Sequence, residues 1–223
     1  MPRHARIVIP NTAHHITQRG NYRQTIFDRQ EDYIQYCEWL DKYAQEKSLE
    51  IIAYCLMNNH VHFIVVPKKE QDLAEVFKIV HMRYSHYINK QRAAKGHLWQ
   101  GRFYSCILAD DHLYRAIRYL ENNPVRAKIV KQAWEYEWSS AKYHVGHMNN
   151  RPLIKLVNYE AVDHGEQWRE YLQEEDIQMT EEMRLKTERG LAIGTEKFIK
   201  KLESTLNRSL KCVNQGRPKS KNK

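Results

Sequence analysis

Residues 55–66 read CLMNNHVHFIVV, and two histidines, His60 and His62, stand one residue apart in an otherwise apolar run. A strand turns alternate side chains to one face, so both imidazoles would project side by side. Such a pair can hold a metal ion, or it can be a half-buried structural feature; a third ligand would favour the metal. Further along, Tyr119 and Asn123 are four residues apart, which puts them on one face of a helix. At ~100° per residue that face lies on the shoulder of the apolar stripe of Leu113, Ala116, Ile117 and Leu120, from where it could meet a sheet edge-on. A tyrosine so placed ordinarily packs its ring and wets its hydroxyl. Tyr114 falls on the other shoulder, and Arg115 is expected to face solvent.

The elements that must position these groups follow from periodicity. Residues 14–19 read as a first strand. Residues 20–24, GNYRQ, read as a loop. Over 30–47 the helical spacing of Tyr33, Cys37, Leu40 and Ala44 takes over. A second strand, 49–57, meets Asn58-Asn59, a pair that tolerates the positive φ of a type I′ hairpin turn. The histidine strand, 60–66, then returns antiparallel. Leu73, Val76, Phe77, Val80, Tyr84, Tyr87 and Ile88 mark the strongest helix. Residues 103–109 form a fourth strand. Asp110 or Asp111 could cap the helix that carries Tyr119, and Pro124 is expected to end it. The order is βαββαβ plus a helix: an α+β, ferredoxin-like antiparallel sheet with an added helix bearing Tyr119 and a helical C-terminal extension.

The 223 residues divide into a domain at 1–145, a partly acidic helical extension at 146–206 and a basic tail at 207–223. Residues 163–188 hold nine acidic side chains against three Lys/Arg, a solvated face that DNA should avoid. The net charge of +9 points to nucleic acid or another polyanion. No apolar run approaches the ~20 residues that span a bilayer, and the N-terminus lacks a signal-peptide core. Cys37, Cys55 and Cys106 sit in apolar patterns as buried thiols, in keeping with a cytoplasmic, nucleoid-associated protein.

The segments MNNHVHF (57–63), LWQGRF (98–103) and YLENNPVRA (119–127), with the opening PRHARIVIPNTAHHITQRGN, resemble the REP-associated tyrosine transposases of the single-tyrosine HUH nuclease superfamily. The similarity spans about residues 2–145. It implies a ferredoxin-like fold, cleavage and joining of single-stranded or hairpin DNA of the REP palindrome type, and a 5′-phosphotyrosine intermediate. It implies His60 and His62 as the metal-binding catalytic pair, Tyr119 as nucleophile and Asn123 as third ligand. Asn58 departs from the proline that relatives often carry, which touches the turn and not the ligands. Two imidazoles and an amide are neutral, so a bound divalent ion, magnesium or manganese, keeps its full charge.

Exposed bases stack on aromatics while cations follow the backbone; Arg19, Arg23, Arg83, Arg102 and Arg126 are the candidates for that role. In the tail, QGRPKSK (215–221) resembles an AT-hook whose Arg217 would enter an A·T minor groove; a solubilising tail is the plain alternative. His14 and His15 could neighbour the site, and His81 and His86 are expected on helix surfaces. The chain is expected to act as a monomer or homodimer. The competing function is a catalytically idle hairpin-DNA-binding protein; a replication initiator or relaxase of the same superfamily fits the motifs less well.

Overall fold

The computed structural model describes residues 6–146, 152–157 and 165–210. Its strands are β1 (Ala13–Arg19), β2 (Glu50–Met57), β3 (His60–Val66), β4 (Tyr104–Leu108) and β5 (Ala192–Ile193). Its helices are α1 (Gln30–Glu46), α2 (Asp72–Gln91), α3 (Leu113–Glu121), α4 (Asn123–Arg126), α5 (Ala141–His144), α6 (Glu166–Gln173), α7 (Ile177–Arg189) and α8 (Glu196–Leu206). The sheet order is β2-β3-β1-β4-β5. The first four strands pair antiparallel, as the βαββαβ order demands, and β5 adds a parallel edge next to β4.

The sheet is covered on both faces, which explains why β2 and β3 are apolar on both sides rather than alternating. Val61, Phe63 and Val65 of β3 point into a core with Tyr36, Cys37 and Leu40 of α1 and Val76, Phe77 and Val80 of α2. Ile64 and Val66 point the other way, into a core with Ala116, Ile117 and Leu120 of α3, Trp168 of α6 and Met179 and Met183 of α7. By the two-residue period, His60 and His62 belong to this second face, the side of α3 and the extension.

Several local expectations change. Asn58-Asn59 makes the two-residue turn, but neither residue has positive φ. Tertiary bonds hold it instead: the Asn58 carbonyl accepts from the Ile26 and Phe27 amides, and that of Asn59 from the Gly20 amide. Asp110 and Asp111 do not cap with their side chains; they form a 3-10 turn that runs into α3. Pro124 does not end the helical path. After a break at Asn122 the chain re-enters helix as α4 with proline in its first turn, where a missing N–H costs nothing.

The acidic stretch is less solvated than its composition implies. Asp176 takes two bonds from Arg115, at 2.8 and 3.0 Å, and one from Arg118 at 2.8 Å, while Glu174 takes another from Arg118 at 2.7 Å. Arg115 is therefore engaged with the extension rather than free in solvent. The buried Glu121 carboxylate accepts from Ser140, His144 and Trp168, at 2.5, 2.6 and 2.9 Å, and so ties α3 to α5 and α6. His81 is buried against Trp99 and bonded to the Tyr36 hydroxyl at 3.0 Å, not on a surface. Cys37, Cys55 and Cys106 are buried free thiols. Among the described residues no helix is long and apolar enough to cross a membrane.

Candidate active site

The histidines sit side by side on β3, with ring centroids 4.9 Å apart and planes at 81°. Each is held by its Nδ1. That of His60 lies 2.6 Å from Asn59 Oδ1, an oxygen that can only accept, so Nδ1 carries the proton and Nε2 keeps its lone pair. That of His62 lies 3.0 Å from His15 Nε2, and His15 Nδ1 lies 2.8 Å from Thr187 Oγ1. The register Thr17↔His62 brings His15 alongside, and the His15 and His62 rings stack at 5.2 Å. Burial lowers the pKa of His60 to about 4 and that of His15 to about 3, and drives His62 well below its usual value; neighbouring His60, His15, Arg126 and Arg19 add to the shift at His62. All three rings are neutral at pH 7, the state that ligation needs.

Tyr119 enters from α3 and is buried at 6% exposure, not wetted at a shoulder. Its ring stands edge-on to His62 at 6.2 Å and to His15 at 5.9 Å. Burial raises the phenol's pKa. The guanidinium groups of Arg126, Arg184 and Arg19 oppose that rise. Arg126 lies over the ring, 4.4 Å from its centroid, and donates to the Tyr119 carbonyl at 2.5 Å. Its Nε–H is buried without a partner among the described residues. An orphaned cationic donor beside a phenol calls for an anion or water.

Asn123 shares this neighbourhood through Arg126, which donates to its Oδ1 at 2.9 Å, while Asn123 Nδ2 donates to the Leu120 carbonyl at 2.9 Å. The oxygen keeps one lone pair, so the amide could join a cation by sharing that oxygen with Arg126. The donor types fit a divalent ion: two neutral imidazoles held through Nδ1, and an amide oxygen tied through Arg126 to the neighbourhood of Tyr119. Among the described residues no three His, Cys, Asp or Glu side chains form a metal cluster by themselves.

Of the other arginines, Arg19 pairs across the strands with His60, and Arg23 and Arg102 are exposed on loops at the same end of the sheet. Arg83 is not brought to the site: it lies on α2, across the sheet, bonded to Tyr43 and over Trp39. Arg217 lies outside the described residues. Four contributors were not assigned from sequence: His15, Asn59, Thr187 and Arg184. The place of His14 and His15 on the first strand, from where they could neighbour the site, was the signal for His15, and Asn59 lies inside the MNNHVHF motif. Thr187 and Arg184 come from α7, inside the stretch whose acidity pointed away from DNA.

Residues 9–123 match the family described as IS200-like transposases. Among solved structures, a REP-associated tyrosine transposase bound to a REP hairpin aligns with a TM-score of 0.56 at 20% identity, over 73% of this chain and 98% of its own. A putative transposase from Deinococcus radiodurans aligns with a TM-score of 0.36 at 21% identity, over 54% of this chain and 97% of its own. No curated protein matches the chain.

Proposed function

Since this chain belongs to the IS200-like transposase family, we propose that it is a metal-dependent nuclease and strand transferase acting on single-stranded or hairpin DNA through a phosphotyrosine at Tyr119. The observation that supports this most is a buried phenol edge-on to His62 at 6.2 Å, with a guanidinium over its ring whose Nε–H has no partner among the described residues.

His60 and His62 would hold a magnesium or manganese ion through Nε2, with Asn123 Oδ1 as the third ligand. When bound, the ion supplies positive charge to a non-bridging phosphate oxygen. Tyr119 attacks phosphorus: the phenol gives up its proton, and the Oη–P bond forms as the P–O3′ bond breaks. The 3′ oxygen leaves with the electron pair and takes up a proton, so that the proton lost by the phenol balances the one gained by the 3′ hydroxyl. Arg126 directs its unused Nε–H at the charge that develops, and Arg184 steadies the phenolate. The burial of Tyr119 keeps competing water from the ester. Because the phosphotyrosine conserves the phosphoester bond energy, a free 3′ hydroxyl can reverse the step and join strands without ATP. A hairpin with unpaired flanks as substrate is supported by the fold it shares with the REP-hairpin-bound relative and by the net charge of +9.

A catalytically idle hairpin binder is the second reading, favoured by the engagement of Asn123 with Arg126 and Leu120. The two separate on a denaturing gel after incubation with manganese and a labelled, flanked hairpin. The wild type forms a covalent adduct, and Tyr119→Phe loses it while still binding the hairpin. An adduct that survives in Tyr119→Phe moves the nucleophile to another tyrosine, Tyr114 first. Hairpin binding without any wild-type adduct favours the idle reading.

A further inference from the structure

Tyr22 is 95% exposed, far more than any other large apolar or aromatic side chain among the described residues. A tyrosine usually lays its ring on the protein and leaves only the hydroxyl in water. This one stands off the surface, and its backbone is unusual too. Tyr22 has φ 51° and ψ 27°, and Arg23 follows with φ 60°. Two consecutive left-handed residues that carry Cβ atoms are disfavoured and persist only where their surroundings over-determine them.

The surroundings do so. The Gly20 amide donates to Asn59 O at 2.9 Å, the Asn21 amide to Leu98 O at 2.8 Å, and the Arg23 and Gln24 amides to Gly20 O and Asn21 O at 3.0 Å each. The Gln24 side chain donates to Leu98 O at 3.0 Å and the Asn59 side chain to Arg23 O at 3.3 Å. Gly20 itself admits no substitute, because a Cβ there would meet Gln24 O at 2.3 Å. The loop is pinned on both sides of a ring that touches little.

Its place links it to the chemistry. Asn59, which holds Arg23 O, is also the residue that orients His60, and Arg19, the last residue of β1, pairs across the strands with His60. Exposed Arg23 and half-buried Arg19 supply positive charge next to and three residues before Tyr22 in the chain. An exposed aromatic ring on a pinned backbone, with arginines near it in the chain and next to the residue that orients His60, has the chemistry of a nucleobase platform. In a duplex the base faces are already stacked on each other, so the platform suits a base outside the hairpin stem.

We infer that Tyr22 stacks on an unpaired nucleobase in the single-stranded flank next to the cleaved phosphate; the inference rests on the DNA-processing function proposed above. Binding of a hairpin with single-stranded flanks, and of the same hairpin with the flanks removed, is measured by fluorescence anisotropy for the wild type, Tyr22→Ala, Tyr22→Phe and Tyr22→Trp. Tyr22→Ala should weaken flanked binding by about five- to hundredfold, the range for loss of one base–aromatic stack. Binding of the bare hairpin and the melting temperature should stay unchanged. Phe and Trp should keep wild-type affinity, and a 2-aminopurine placed in the flank should be quenched by the wild type and not by Tyr22→Ala. Equal binding of both DNAs by Tyr22→Ala and wild type overturns the inference, and so does an equal loss on the bare hairpin, which would put the ring on the stem. If the wild type also forms its adduct, either result leaves the proposed function standing. If the wild type binds neither DNA, that function and the platform fall together.

Discussion

Replacing Thr187 by valine removes one oxygen and keeps the shape of a buried side chain. That oxygen lies 2.8 Å from His15 Nδ1, and His15 Nε2 lies 3.0 Å from His62 Nδ1. For His62 to offer Nε2 to a cation, its Nδ1 must carry the proton and donate to His15. His15 must then carry its own proton on Nδ1 and donate to Thr187. With valine, His15 Nδ1 is left buried and unpaired, a loss of about 1–3 kcal/mol. Nothing then selects the useful tautomer. The ring can move its proton to Nε2, donate to His62 instead, and push the His62 proton onto the ligand nitrogen. Removing such outer partners lowers metal affinity by roughly 10–100-fold. A domain with about 5–15 kcal/mol of stability survives the first loss, so the second can be read. Urea unfolding of the metal-free protein reports stability, and titration with Mn²⁺ followed by electron paramagnetic resonance reports affinity. Thr187→Val should lose both, and Thr187→Ser, which restores the hydroxyl, should recover both. Weakened folding with unchanged manganese affinity would refute the tautomer argument and leave Thr187 a packing residue.

Other consequences are as direct. Arg126→Lys keeps the charge but loses the unpartnered Nε–H and the planar group over the Tyr119 ring; adduct formation should slow by roughly 100-fold, the size of losing one preorganised donor, with hairpin affinity changed far less. Arg118→Ala removes a guanidinium only 8% exposed, but Asp176 keeps its bonds from Arg115 and Glu174 is itself 65% exposed; thermal or urea unfolding should show a loss of about 1–2 kcal/mol, the size of lost charge-assisted hydrogen bonds rather than of a broken buried pair. Burial lowers the pKa of His14 to about 4 and of His81 to about 3, so the folded chain keeps both neutral where the unfolded chain takes up protons. Their contribution is fully present above pH ~6.5 and is lost as pH falls toward those values, by up to about 1.4 kcal/mol per pH unit for each. Urea midpoints at pH 7.5, 6 and 5 should fall in that order, and a flat profile would contradict it.

The strand and helix order was legible because it rests on local periodicity. A two-residue period puts His60 and His62 on one face whatever lies beyond, and a 3.6-residue period marks the stripe of α3. Tyr119 and Asn123 were singled out by spacing and motif for the same reason, since both lie within one helical path. The Asn58-Asn59 turn falls where the sequence puts it, but not with positive φ, because its conformation answers to the Ile26, Phe27 and Gly20 amides and not to the intrinsic leaning of asparagine.

Sequence alone therefore determined the βαββαβ order, the shared face of the two imidazoles and the basic balance of the chain. Tertiary structure decided what surrounds them. The partnership of His15 with His62 needs the β1–β3 register, and Thr187 reaches His15 across 172 residues only because α7 docks on the sheet. Arg184 arrives by the same docking, and Glu174 and Asp176 bond Arg118 and Arg115 of α3, so a segment that reads by composition as a solvated face packs against the helix that carries Tyr119. Periodicity is a property of neighbours along the chain. Register and docking come from burial and hydrogen bonding summed over distant segments, and no local pattern records that sum.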